Sequence, residues 1–244
     1  MERNKKEQVK KILLTPIVCI KWNKAPFLYD GKIYSGQKYY GNPDEDMSDF
    51  AVNFYNILYK NNIQDNNILA EKKDKKIVLR NKNYAGDTMN SFISIANMAS
   101  FEPNDDNIKE KVMNYYDIYH CLANFWVIPM KIGRGSKKLN RYDSLDIFLE
   151  RIETKEKYDE IMGKYGSDKG EEYNKRIEYE NFKKIHFIEK YVPDKEILKR
   201  YHDKQAGDLI DRATDMIKTR AEKISEDEKI GDELYKYFQS IKLI

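Results

Sequence analysis

The 244-residue chain is short of cysteine and histidine, has no long apolar run and carries no excess of charge of one sign. Each shortage excludes something. Cys19 and Cys121 are too few for a disulfide framework or a cysteine-based zinc site. The three histidines, His120, His186 and His202, form no His-Glu-x-x-His element, so metal-site signatures are missing. No stretch approaches the roughly 18 apolar residues that a spanning helix needs. The apolar run over residues 12–18 is broken by Pro16 and makes a poor secretory leader. A phosphate-binding P-loop and a serine nucleophile elbow are lacking, and Gly133-Arg-Gly135 has no third glycine to complete a dinucleotide fingerprint. Lys and Arg number 44 against 41 Asp and Glu, a net charge of +3, which excludes a dedicated polyanion coat. Any polyanion site is then a local patch. A cytoplasmic, reducing setting with no membrane partner is the expectation, and the Lys-, Asn-, Ile- and Tyr-heavy usage suits an AT-rich bacterial genome.

What the sequence does have is aromatic mass: 19 Tyr, 10 Phe and 2 Trp. That is too much for a disordered chain and enough to build the core of one large or two small domains. Asp30-Gly31 between aromatic and β-branched residues predicts a two-residue hairpin. Met47, Phe50, Ala51, Phe54 and Leu58 recur at helical spacing, and Lys76–Arg80 reads as a short strand. Asp87 reads as the cap of a helix carrying Met89, Phe92, Ile93 and Ala96. Asn107 with Glu110 reads as a capping box, and Phe125–Pro129 as a buried strand ended by proline. Asp143 is expected to cap a helix bearing Leu145, Phe148, Leu149 and Ile152. Further on, Leu209, Ala213, Met216, Ile217 and Ile224 form one stripe, and Ser225-Glu-Asp-Glu228 caps a last helix with Ile230, Leu234, Phe238 and Ile241. The expected fold is α+β: a mixed α/β N-terminal and central part over 1–152, and a charge-rich, mainly helical region over 153–244.

Lys131, Arg134, Lys137, Lys138 and Arg141 crowd into an acid-free loop with small, flexible residues. Several cations on one loop suit a phosphate backbone, whose binding releases counterions and is salt-sensitive. Neighbouring Trp126 reads as core, and His186 and His202 as surface residues. Asp87 and Asn90, one helical turn apart, offer oxygen ligands for a hard cation, set against the simpler roles of cap and surface residue. His120 is read either as an acid–base group facing the basic loop or as a hydrogen-bonded structural histidine near a helix C-terminus, and Asn124 as a residue that fixes a turn.

The run Tyr119-His-Cys-Leu-Ala-Asn-Phe-Trp-Val-Ile-Pro129 resembles the histidine and Gly-Asn-Leu stretch of HNH-type nuclease modules in modification-dependent type IV restriction enzymes. Lys137, Lys138 and Asn140 match the loop that follows, and Leu209-Ile-Asp-Arg-Ala213 matches a helix in the tail. The chain is also similar to an uncharacterised bacterial protein family, on Gly86-Asp-Thr-Met-Asn-Ser-Phe92 followed by Tyr119-His120, Asn124-Phe125 and Pro129. The nuclease resemblance implies phosphodiester hydrolysis with Mg²⁺ or Mn²⁺ in restriction or phage defence. Asp87, His120 and Asn140 would form the polar centre, Asp87 as metal ligand, and the loop cations would hold nucleic acid. The chain departs from the pattern where the general base should lie, because no histidine precedes His120, and Ala123 replaces the glycine. The module is therefore degenerate or rewired. The alternative is a non-catalytic interaction or regulatory protein, binding a partner or a second copy through its C-terminal helices.

Overall fold

A computed structural model describes residues 2–21, 25–37, 44–59, 71–73, 76–78, 84–90, 105–129, 144–163, 178–196 and 206–244. In chain order the elements begin with α1 (Arg3–Leu13), β1 (Ile17–Ile20), β2 (Phe27–Tyr29), β3 (Lys32–Gly36), α2 (Asp49–Tyr59), β4 (Glu71–Lys73), β5 (Lys76–Val78) and β6 (Tyr84–Thr88). They continue with α3 (Asp106–Tyr116), β7 (Phe125–Pro129), α4 (Leu145–Ile152), α5 (Lys155–Gly163), α6 (Tyr179–Ile185), α7 (Ala206–Glu226) and α8 (Glu228–Ser240). The fold is α+β, and the C-terminal third is helical. Two compact units are each assembled from separate stretches. The first takes 1–87, 120–127 and 217–244, and the second takes 88–119 and 128–216. Each draws residues from both sides of position 152.

The first unit is organised around short sheets. β1 runs parallel to β3, with Ile17 opposite Ile33 and Ile20 opposite Gly36. β2 returns antiparallel along β3 through the expected hairpin. Asp30 and Gly31 both have positive φ, 47° and 70°, the geometry of a two-residue turn that matches strand twist. Phe50, Ala51, Phe54 and Leu58 line the buried face of α2 as their spacing predicts, while Met47 belongs to a 3₁₀ turn, Glu45–Met47, just before it. The start of α2 is satisfied by two serine hydroxyls: Ser35 accepts from the Phe50 amide at 3.1 Å and Ser48 from that of Ala51 at 3.2 Å. β5 pairs with β4 and covers the first three residues of the strand predicted over 76–80. Phe238 of α8 packs on Phe50, ring centroids 5.9 Å apart.

The second unit is mainly helical among its described residues. Leu145, Phe148, Leu149 and Ile152 are buried on α4, and Phe148 meets Phe182 of α6 at 5.0 Å. The stripe on α7 is buried at every predicted position, Leu209 to Met216 in this unit and Ile217 and Ile224 in the first.

Several local expectations need correction. Asp87 sits inside β6, not at a helix start. Backbone pairing claims the segment, so no cap is needed there. Asp105 caps α3, accepting from the amides of Asn107 and Ile108, which leaves Asn107 in the first turn. Asp227 caps α8 through the amides of Lys229 and Ile230, while Ser225 bonds back to the Glu222 carbonyl within α7. His186 is 2% exposed and lies 4.2 Å from the Phe182 ring, so it is a core residue. Asp143 and His202 lie outside the described residues.

Candidate functional site

His120 follows α3 in a turn over 117–120 rather than on the helix itself. Its carbonyl accepts from the Ile17 amide at 2.8 Å, and Cys121 pairs with Pro16. Backbone hydrogen bonds therefore fasten the 120–127 stretch of the first unit to the start of β1. Opposite the imidazole stands Glu45 of the 3₁₀ turn, with its carboxylate 3.5 Å from Nδ1. The two side chains are 29% and 26% exposed. Burial pushes the imidazole down to about 4, against the pull of the Asp44 carboxylate. His120 is therefore neutral at pH 7. Burial raises the Glu45 carboxyl, helped by Asp44 and opposed by the amides of Glu45 and Cys19.

The adjoining wall is polar and acidic. The Cys19 thiol donates to Gln37 Oε1 at 3.0 Å, and the Asp44 amide donates to the same oxygen at 2.7 Å. Gln37 is 6% exposed, and its Nε2 has no hydrogen-bond partner among the described residues. Burial pushes the Cys19 thiol up to about 11; the Asp44 backbone opposes this and Glu45, Asp44 and Asp49 reinforce it. Cys19 is a thiol here and no nucleophile. A neutral imidazole facing a carboxyl can accept a proton and have the resulting charge offset, which is the working arrangement of a general base.

Gly86 and Asp87 lie in the same unit. A Cβ on Gly86 would come within 2.7 Å of the Asp46 carbonyl oxygen and 3.1 Å of the Tyr55 ring, so β6 passes too close to the Glu45–Met47 turn for any side chain there. The Tyr55 hydroxyl donates to that same carbonyl at 2.9 Å. Burial holds Tyr55 un-ionised, with the charges of Asp46 and Asp87 acting in the same direction. The glycine of the Gly86-Asp87 motif thus has a packing role. Among the described residues no group of three or more His, Cys, Asp or Glu side chains is arranged to hold a metal ion. Asn90, grouped with Asp87 on the sequence, belongs to the second unit, 5% exposed and at φ 52°. Its Oδ1 accepts from the Leu145 amide at 2.9 Å, and its carbonyl accepts from the Tyr115 hydroxyl. It is neither a helix-face ligand nor a surface residue, because it satisfies the first amide of α4. Asn140 and the loop cations Lys131, Arg134, Lys137, Lys138 and Arg141 lie outside the described residues.

The rest of the motif run builds core. Asn124 and Trp126 are fully buried, as expected of a turn residue and a core ring. Arg220 of α7 is also fully buried. Its Nη1 donates to the carbonyls of Ala123 at 2.6 Å and Phe125 at 2.9 Å, its Nη2 to the Tyr59 hydroxyl at 3.1 Å, and its guanidinium lies 4.1 Å from the Trp126 ring centre. Arg212, the arginine of the tail motif, instead grips Asp146 through two nitrogens and lies over Tyr191 at 4.6 Å. Sequence reasoning passed over Glu45, Gln37 and Arg220. Arg220 had a readable signal: it sits between Ile217 and Ile224, at helical spacing inside an apolar stripe. Glu45 had none, being one acid in the run Asp44-Glu-Asp46. No family model, curated protein or solved structure matches the chain.

Proposed function

We propose that this is a nucleic-acid-directed protein whose catalytic candidate is the His120–Glu45 pair, acting on phosphodiester bonds in bacterial restriction or phage defence. One observation carries the reading: an imidazole kept neutral by burial, its Nδ1 3.5 Å from a carboxylate. In hydrolysis His120 takes a proton from the attacking water, the water oxygen bonds phosphorus, and the leaving oxygen is protonated from solvent. Glu45 offsets the charge on the imidazolium. A positioned general base contributes about a hundred- to ten-thousand-fold in rate, and an imidazole pushed down to about 4 is a weak base that belongs at the lower end of that range. Mg²⁺ or Mn²⁺ belongs to the proposal as a requirement to be tested, and no step is routed through it. The test is incubation of the full chain with single- and double-stranded DNA and RNA in Mg²⁺, Mn²⁺ or EDTA, beside His120→Ala and Glu45→Gln. Cleavage that falls at least a hundredfold in His120→Ala supports the reading. The absence of cleavage in every condition, or equal cleavage by wild type and His120→Ala, overturns it.

The second reading is a non-catalytic interaction or regulatory protein. It is favoured by the burial of Asn124 and Trp126 and by the Arg220 clamp, which give most of the motif run a structural role. The apolar residues Ile230, Leu234 and Phe238 of α8 are buried too, so a partner of that helix would meet its polar face. A mass in solution above that of one chain, without nucleic-acid binding at low salt, supports it.

A further inference from the structure

A neutral imidazole offers a carboxylate no cationic charge, so the 3.5 Å approach of Glu45 to His120 Nδ1 needs another cause. Part-exposed and next to Asp44, a Glu45 carboxylate with nothing to hold it would turn towards water. The hold comes from backbone donors: the carboxylate accepts from its own amide and from that of Cys19 on β1. Glu45 therefore keeps its place only while the Glu45–Met47 turn stays docked beside β1.

Gln37 joins the two. It follows β3 directly, one residue beyond the Ile20–Gly36 pair of the β1–β3 register. Its Oε1 accepts from the Cys19 thiol at 3.0 Å and from the Asp44 amide at 2.7 Å. One oxygen thus ties the β1 residue that holds the Glu45 carboxylate to the residue that precedes Glu45. Asp44 in turn starts the 3₁₀ turn, its carbonyl accepting from the Met47 amide at 3.1 Å. The Asp44 amide can only donate, which fixes the carboxamide with its oxygen towards the turn. Its Nε2 then goes without a partner among the described residues, in a side chain that is 6% exposed. A buried donor left unmet is costly, and an apolar side chain of the same length would avoid it. What such a side chain lacks is the oxygen. An imidazole with a carboxylate at Nδ1 keeps its proton there and its lone pair on Nε2, so the tautomer of His120 reports where Glu45 sits.

We propose that Gln37 is the positioning residue of the His120–Glu45 pair: its oxygen holds Glu45 on Nδ1 and so makes Nε2 the basic nitrogen. The inference rests on the catalytic reading of that pair, but its first readout needs no cleavage. The full chain, labelled with ¹⁵N-histidine, is measured by NMR at pH 7, and His120→Gln assigns the signals. In the wild type the proton is on Nδ1. Gln37→Met and Glu45→Gln each shift His120 towards the mixed tautomers of an unconstrained imidazole, and the double variant shifts it no further. Gln37→Glu keeps an oxygen in place and keeps the wild-type tautomer. Where the wild type cleaves, Gln37→Met loses about tenfold, short of the His120→Ala loss, and Gln37→Glu recovers it. A wild-type tautomer in folded Gln37→Met overturns the role. So does a further shift in the double variant, because Gln37 then acts by packing and not through Glu45. If Gln37→Met does not fold, Gln37→Asn decides: it keeps the carboxamide and withdraws the oxygen by one methylene, and a wild-type tautomer in it overturns the role. A tautomer released by Gln37→Met in a chain that cleaves nothing upholds the positioning role and removes the phosphodiester reading. Cleavage at the wild-type rate by Gln37→Met, with the wild-type tautomer, removes the role alone.

Discussion

Arg212 and Arg220 stand eight residues apart on one helix and are held by opposite chemistry. In the second unit Arg212 meets a carboxylate, Asp146, which is almost fully buried and also accepts from the Tyr191 hydroxyl at 2.8 Å and the Asp194 amide at 2.7 Å. In the first unit Arg220 has two carbonyls, a tyrosine hydroxyl and the face of a tryptophan. Burial lowers the Arg220 guanidinium, whereas the hydrogen bond and charge of Asp146 outweigh burial and raise that of Arg212. The contrast extends beyond the arginines. The first unit keeps His120 neutral, and burial holds the Cys121 thiol up to about 12, while the second collects Lys157 with Glu150 and Glu153, and Lys195 with Glu153. One unit suppresses charge around its candidate site and the other pairs charge across its helices.

Removing each arginine's grip breaks the comparison most directly. Arg220→Ala leaves two buried carbonyls and a buried hydroxyl without their donor, each costing about 1–3 kcal/mol, and opens a cavity against Trp126. The expected loss is about 4 kcal/mol in urea unfolding, and Arg220→Lys recovers only part of it, because the ammonium lacks the second nitrogen that reaches the Tyr59 hydroxyl and the flat face that lies on Trp126. Asp146→Ala strands the half-buried Arg212 and costs about 3 kcal/mol. In 1 M salt the Asp146→Ala loss shrinks, since its ion pair is part-screened, and the Arg220→Ala loss does not. Equal salt sensitivity of the two variants erases the distinction.

A smaller effect tests charge suppression at the candidate site. His120 has a native value near 4 against an ordinary 6.5, so the unfolded chain binds its proton first as pH falls. Stability contributed by the neutral form is full above about 6.5 and declines as pH drops towards 4, by on the order of 3 kcal/mol. The raised Glu45 carboxyl acts oppositely, favouring the folded state at low pH and losing that contribution as pH rises through its native value. His120→Gln therefore flattens the acid limb of the stability profile between pH 6.5 and 4, and Glu45→Gln steepens it. An unchanged limb in His120→Gln refutes a buried neutral imidazole.

The sequence made periodic packing legible and left polar pairing hidden. Phe50, Phe54, Leu145, Phe148, Leu234 and Phe238 were readable because a helix repeats its buried face every three or four residues. The Asp30-Gly31 turn was readable because few residues accept positive φ twice in succession. Glu45 and His120 are 75 residues apart, and no local rule joins them. Asp87 was misread because a lone acid before apolar residues looks like a cap, while the cue for a strand lay in Gly86 and its contact with a carbonyl some 40 residues earlier. Arg220 illustrates the same limit. Its place in an apolar stripe announced burial, but its partners come from two distant stretches of the chain, Tyr59 and residues 123–126.

The caps set the fine scale of the comparison. Asn107 and Ser225 were read as caps, and the structure gives both roles to aspartates two residues away, Asp105 in the second unit and Asp227 in the first. Ser225 and Asp227 both precede an apolar run, and the pattern alone does not choose between them. Helix α7 decides it by running on to Glu226, so that Ser225 is inside a helix and Asp227 is the first residue with extended backbone. Each aspartate accepts from two amides in the same geometry and adds negative charge at a helix N-terminus. Asp105→Ala and Asp227→Ala are therefore expected to cost about 1 kcal/mol apiece, while Ser225→Ala and Asn107→Ala cost less. Caps act locally, so the two units should answer alike here even though they differ at their arginines. If Asp227→Ala instead costs several kcal/mol and Asp105→Ala almost nothing, the difference between the units reaches down to ordinary helix ends and is not confined to how each holds a buried charge.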